Sequence, residues 1–329
     1  MTNVFYKHFI LLINKSSIMV GGQAVIEGVM MRVPGYYATA VRTPQNSIEV
    51  IRKPFTPTAE YYKLANIPIL RGFLHLVDSM KIGYQTLDWS ASIEDNSQNK
   101  EPNKIVNFFI TIFSILFTIT LFMGIPYIVT DFGLNKFPSI KTNQLIFNCL
   151  AGLLRMTIFL LYLYLLSHLK DVKRLFQYHG AEHKVIYNFE SGNKLSITQA
   201  QKFSTKHPRC GTSFIFILMM ITIVTYSTTD SLVATLFSLD FTLVSRIVIH
   251  LLLLPIVAGI GYEVLKFLAR NQKNTFFSVL SKPGLWLQSI TTNEPTDSQI
   301  EISITALKTA FGDKIEHFEG QQFQADAIG

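Results

Sequence analysis

The chain has 329 residues, 49% of them hydrophobic and only 16% charged, with 29 Lys and Arg against 22 Asp and Glu. Length alone suggests about two domains, but the low charge and the clustering of apolar residues exclude that reading in favour of a membrane protein. The surplus of seven positive charges lies near the apolar runs, and no nucleic-acid motif is present, so it points to anionic lipid headgroups and membrane orientation.

Residues 1–20 contain Phe9-Ile10-Leu11-Leu12-Ile13, followed at once by Lys15. The core is too short for a secretory signal and lacks a small-residue cleavage site, so it reads as an interfacial or poorly ordered extension. A cytosolic N-terminal region is expected over 21–104. It opens with Gly21-Gly22-Gln23-Ala24-Val25-Ile26-Glu27-Gly28-Val29-Met30-Met31-Arg32, a Gly-flanked strand in which Gln23, Glu27 and Arg32 are the notable polar groups. Tyr37–Thr43 and Ile48–Lys53 predict a hairpin around Pro44-Gln45-Asn46-Ser47. From Pro68 to about Trp89, Ile69, Phe73, Leu76, Val77 and Met80 recur at helical steps among Arg71, Asp78 and Lys81. That pattern fits an amphipathic helix on the membrane surface or an amphipathic core helix equally well. Ser90–Asn103 reads as a polar linker.

Two transmembrane helices are expected over 105–169: Ile105–Thr130, uncharged throughout, and Leu145–Leu169, with Arg155 inside it. An intramembrane Arg calls for a partner or polar cavity, or snorkels to an interface. Residues 170–211 form a polar loop, and Lys170–Arg209 holds eight Lys or Arg against three acidic residues. Two more spans are expected over 212–269, Thr212–Thr229 and Ile247–Ala269, with Asp230–Arg246 as a connector. Four spans return the chain to the side where it began, and the positive-inside rule makes that side cytoplasmic. In the cytosolic C-terminal region, 270–329, Ser281–Gln288 reads as a turn with an aromatic anchor. Ser298-Gln299-Ile300-Glu301 has capping-box spacing, and Ile300, Ile304, Leu307 and Phe311 mark one apolar helix face. Residues 312–329 are expected to fray. The fold expected is an α-helical integral membrane protein with four spans and a small mixed α+β cytosolic region, and homo-oligomers are compatible with it.

The chemistry concentrates in the 170–211 loop. His179 and His183 stand four apart and Glu182 three after the first, so on a helix all three share a face. His-x-x-Glu-His is the order in which two His hold zinc and the Glu activates water. His207-Pro208-Arg209-Cys210 adds a second ligand pair, and Cys210, with Cys149 in an apolar run, makes no disulfide framework, which favours a reduced site. Three readings stay open. His179, His183 and a third ligand from Glu190, His207, Cys210 or Glu263 leave a position for water, with Glu182 as general base. Alternatively, His179, His183, His207 and Cys210 close a structural site. In the third, a metal-free network bonds loop backbone and lipid phosphates. Lys184, Lys206 and Arg209 suit a phosphate or anionic headgroup beside the site.

Taken together, Gly21–Arg32, Tyr178–Lys184, His207–Phe214, Gly261-Tyr262-Glu263 and Pro283–Gln288 resemble the YqhQ-like family of uncharacterised bacterial membrane proteins over residues 20–311. Val33-Pro34 departs from it, since the family commonly has Gly before that Pro, and the extension before Gly21 is atypical. The resemblance implies a plasma-membrane location and a predicted metal-dependent enzyme. The functional expectation is a zinc-dependent hydrolase at the cytoplasmic face acting on a membrane-associated substrate. The alternative is a non-enzymatic scaffold or assembly factor with a structural metal or His network. A transporter is the weakest reading, because Arg155 and His168 alone are few ionisable groups for a pathway.

Overall fold

The computed structural model describes residues 20–94, 104–237, 242–271 and 274–323. The expected extension at 1–20 lies outside these but for its last residue, as does most of the 90–103 linker.

Among the described residues, four helices are long and apolar enough to cross a membrane, over Phe108–Gly133, Gln144–Leu166, Gly211–Leu236 and Leu243–Leu268. The chain begins with an antiparallel meander, β1 (Gly21–Val25), β2 (Gly28–Val33), β3 (Tyr36–Arg42) and β4 (Ile48–Pro54), in that spatial order. The predicted hairpin is β3–β4, in register from Arg42↔Ile48 to Tyr36↔Pro54. The β1–β2 turn is only Ile26-Glu27, which forces Glu27 to a positive φ of 50°. Helix α1 (Pro68–Glu94) follows. The first span is α2 (Lys104–Ile119), a π turn over Thr120–Gly124, and α3 (Ile125–Gly133). The second is α4 (Gln144–Leu166). After α5 (Lys170–Glu190), α6 (Gly211–Phe237) and α7 (Leu243–Arg270) are the third and fourth. Two further long helices follow, α8 (Thr275–Thr291) and α9 (Asp297–Phe311), and short helical turns lie at Thr58–Tyr61, Pro138–Lys141, Ile197–Ala200 and Ile315–Phe318.

Several expectations are corrected. The first half of the polar loop is the helix α5, because Tyr178, Ala181, Val185, Ile186 and Phe189 recur at helical spacing and all are buried. Ser281–Gln288 lies inside α8, with Pro283 accommodated mid-helix. The capping box belongs to Thr296 and Gln299, two residues before the expected start: Thr296 N donates to Gln299 Oε1 at 2.9 Å. The tail does not fray at once, since Phe323 is buried and stacks on Phe189 with ring centroids 5.1 Å apart; residues 324–329 lie outside the described residues.

One core joins the sheet to α5 and α9. Val29, Met31, Val33, Ala38 and Ala40 from the sheet meet Tyr178, Val185 and Phe189 of α5 and Ile300, Ile302 and Leu307 of α9. The opposite sheet face, through Met30 and Tyr37, packs on Ile82 of α1. β2 is therefore covered on both faces, which is why its burial does not alternate as in a half-exposed strand. α1 is neither a helix on a bare membrane surface nor simply a core helix: Gly72 packs against Gly259 and Tyr262 of α7, and Ile82 is already under the sheet.

Candidate metal centre

The π turn and Pro126 explain Arg155. Pro126 has no N–H to give to the Phe122 carbonyl four residues back, and Arg155 Nε donates to that carbonyl at 2.7 Å. The guanidinium also lies 5.4 Å from the Tyr127 ring centroid. A partner within the bundle thus holds it, and snorkelling is excluded.

Asp230 and Arg246, expected in a connector, are inside α6 and α7. Asp230, fully buried, accepts from Arg246 Nη1 at 2.9 Å and Asn148 Nδ2 at 2.8 Å, and its other oxygen lies 3.0 Å from His250 Nε2. Tyr127 Oη bonds His250 Nδ1. The spans therefore carry more ionisable groups than the sequence reading assigned. A faint signal was there: Asp230, Arg246 and His250 are ionisable residues beside or within apolar runs. Nothing in the spacing pairs them.

The candidate site lies at the other end of the bundle. On α5 the backbone places His179, Glu182 and His183 on one face, as their spacing requires. His179 Nδ1 lies 2.8 Å from the Thr291 carbonyl at the end of α8, and His183 Nδ1 bonds the Thr205 carbonyl. A carbonyl only accepts, so each Nδ1 carries a proton, and in the neutral ring each Nε2 keeps its lone pair. This is the orientation in which metal-binding histidines are held by their surroundings. His179 Nε2 faces Cys210, and one ligand atom from each of His179, His183 and Cys210 lies within 4.8 Å of the others. Cys210 Sγ is 3.2 Å from His179 Nε2. It sits just before the first residue of α6, where Thr212 N points at it from 3.4 Å.

Glu182 is 5% exposed, with an oxygen 3.9 Å from His179 Nε2 and 3.7 Å from His183 Nε2. Burial pushes its carboxyl up to about 7, against the pull of His179 and Arg209 and of the Gly22 backbone hydrogen bond. Gly22 must be Gly for that bond: a Cβ there would sit 2.7 Å from Glu182 Cγ.

The other expected site residues lie elsewhere. His207 turns away from the trio toward Glu190, at 3.7 Å, and burial pushes it down to about 4. Glu190 also pairs with Arg209. Burial alone would raise that carboxyl, but His207 and Arg209 beside it together hold it below its ordinary value. Glu263 forms a two-bond pair with Arg71, at 2.8 and 2.6 Å. Lys184 is buried, with Nζ 3.0 Å from the Gln201 carbonyl and 2.9 Å from Glu294. Glu27 pairs with Arg174 and accepts from Tyr178 Oη at 3.2 Å. The Arg32 guanidinium covers the Phe55 ring at 4.3 Å, and Gln23 packs against Gly83 of α1.

Sequence reasoning missed the groups that hold the trio. Gln288, fully buried, accepts from His207 N at 2.7 Å and donates to its carbonyl at 2.8 Å, which fixes the turn that delivers Cys210. Its signal was its place in the Pro283–Gln288 run. The Thr205 and Thr291 carbonyls are backbone atoms and leave no trace in residue type.

The chain matches the family described as "Protein of unknown function (DUF1385)" over residues 67–313. It is also 32% identical over 299 residues to the uncharacterized protein YqhQ of Bacillus subtilis (strain 168), covering 86% of this chain and 89% of that one. No solved structure matches it. A family model that spans most of the chain and a relative alike over nearly its whole length agree, and the chain belongs to the DUF1385 family.

Proposed function

We propose that His179, His183 and Cys210 hold a divalent metal ion, zinc, and that Glu182 is the general base of a hydrolase acting at the cytoplasmic face of the plasma membrane. The observation that carries this reading is the convergence of three donors within 4.8 Å, with both imidazoles protonated on the nitrogen that faces a backbone carbonyl. Imidazole and thiolate suit zinc, and three protein ligands leave the fourth position that catalysis needs. A zinc ion held there supplies Lewis acidity and lowers the pKa of water. Glu182, beside both imidazoles, takes the proton from the attacking water, and the Gly22 N–H orients its carboxylate. Cys210 directly precedes the third span, so a substrate reaching the centre comes along the membrane surface. This supports a membrane-associated substrate.

Metal content of the detergent-purified protein tests the site. One zinc per chain is expected, lost in His179→Ala/His183→Ala while the fold persists. No metal after zinc reconstitution would remove the reading. Glu182→Gln should keep the metal and abolish hydrolysis; a variant that loses the metal would show Glu182 to be a ligand.

Deep burial favours a second reading, a structural metal in a membrane scaffold, since His183 is only 2% and Cys210 8% exposed. There, His183→Ala lowers folding and abundance, and Glu182→Gln has little effect on either. A well-folded, abundant His183→Ala protein would argue against it.

A further inference from the structure

Helix α1 enters the fold at an unexpected height. A Cβ at Gly72 would sit 2.9 Å from the Gly259 carbonyl, and a Cβ at Gly259 would run into the Ile69 carbonyl. The start of α1 is therefore level with Gly259, nine residues inside the Leu268 end of the fourth span, about 14 Å along the helix axis. The third span gives the same depth. Gly261 faces Phe214, Leu218 and Ile221, which lie inside a helix that starts at Gly211.

Residues at that depth leave large apolar side chains uncovered. Ile67 is 50% and Leu70 38% exposed on the side away from Gly72, and Ile69 is 44% exposed although its Cγ2 also meets Gly259 of α7. Within residues 67–73 the one charged group is neutralised, while Lys63 and Asn66 before it are exposed. Arg71 takes both Glu263 oxygens, and its Nη1 donates to the Ala65 carbonyl at 3.1 Å. Pro68 opens α1 and has no N–H to leave unpaired in an apolar medium. Ile67 N and Leu64 N bond the Leu64 and Ala59 carbonyls, which closes the turn before it.

We infer that residues 67–73 are sunk into the leaflet on the metal-centre side, with Ile67, Ile69 and Leu70 against lipid acyl chains. The segment enters and leaves on the same side, so it is a re-entrant element and not a fifth span. The occupant of this face is lipid, because the face continues the surface of a span that lipid must already cover. Further along, Gly83 of α1 meets Gln23, next to the Gly22 that touches Glu182. One helix thus reaches from the leaflet to the strand above the candidate base. The inference rests on the four-span reading and is independent of any metal.

Tryptophan quenching in vesicles tests it. The chain has two Trp, replaced in a Trp89→Phe/Trp286→Phe background. Single tryptophans are then introduced as Leu70→Trp or Ile67→Trp, with Ile256→Trp in the fourth span as the lipid reference and Glu49→Trp on the sheet as the water reference. Each protein is reconstituted in phosphatidylcholine brominated on its acyl chains, after its unfolding temperature confirms the fold. Quenching of the Leu70→Trp protein by bromolipid comparable to that of Ile256→Trp, with little quenching by acrylamide, is expected; should that variant not fold, Ile67→Trp gives the same reading. Acrylamide quenching like that of Glu49→Trp overturns the inference. Shielding from both quenchers also overturns it, since protein would then cover the face. Failure of bromolipid to quench Ile256→Trp would refute the span assignment beneath it.

Discussion

His207 shows how residue type and residue role separate. Its spacing to Cys210 makes it a plausible ligand, but a contact with Glu190 draws it away. Burial lowers it to about 4 from 6.5, so the folded protein binds its proton less readily than the unfolded chain does. The stability this group contributes is full above pH 6.5 and is lost as pH falls from 6.5 toward 4, by about 3 kcal/mol at most. Thermal unfolding against pH should show that acid limb in the wild type and a flatter one in His207→Gln. The first His pair and Glu182 were legible because i, i+3 and i+4 positions on one helix are adjacent whatever the tertiary fold. The choice between Cys210 and His207 was not legible. It depends on where the chain returns after Gln201, and Gln288, eighty residues downstream, sets that turn.

Among the elements, α5 depends on close approach. A Cβ at Gly180 would collide with the Asn293 carbonyl and lie 3.2 Å from Thr205 Cγ2. Those contacts flank the two segments whose carbonyls hold His179 and His183. Gly180→Ala should destabilise the protein by about 1–3 kcal/mol and reduce its metal content, as read by thermal unfolding and elemental analysis. The four spans and the β3–β4 hairpin were legible from uncharged runs and turn residues. The helical nature of α5 was obscured by its charges, which lie among the buried positions of a helix that packs between sheet and α9. The ends of the third and fourth spans were misplaced because Asp230 and Arg246 look like loop residues until each is seen to neutralise the other.

At the scale of the molecule, two polar centres sit at opposite ends of one bundle. Asp230→Ala leaves Arg246 and His250 without their carboxylate, and loss of one partner from a buried pair costs about 3–5 kcal/mol. Detergent-solubilised Asp230→Ala protein should unfold at a lower temperature yet keep its metal per chain; loss of metal would couple the two ends. The juxtaposition of Tyr127, Asn148, Asp230, Arg246 and His250 could not be read from the chain, because it joins four helices through residues 16 to 123 positions apart.

Cys210 is the last residue before a membrane helix. Metal–sulfur bonds tolerate only about 0.2 Å of error, whereas one residue of axial slip along a helix is 1.5 Å. A metal ion bound by α5 and Cys210 would therefore pin the third span at a fixed height, like a bolt through a sliding rod. Removing it would release that span to find its own level in bilayers of different thickness.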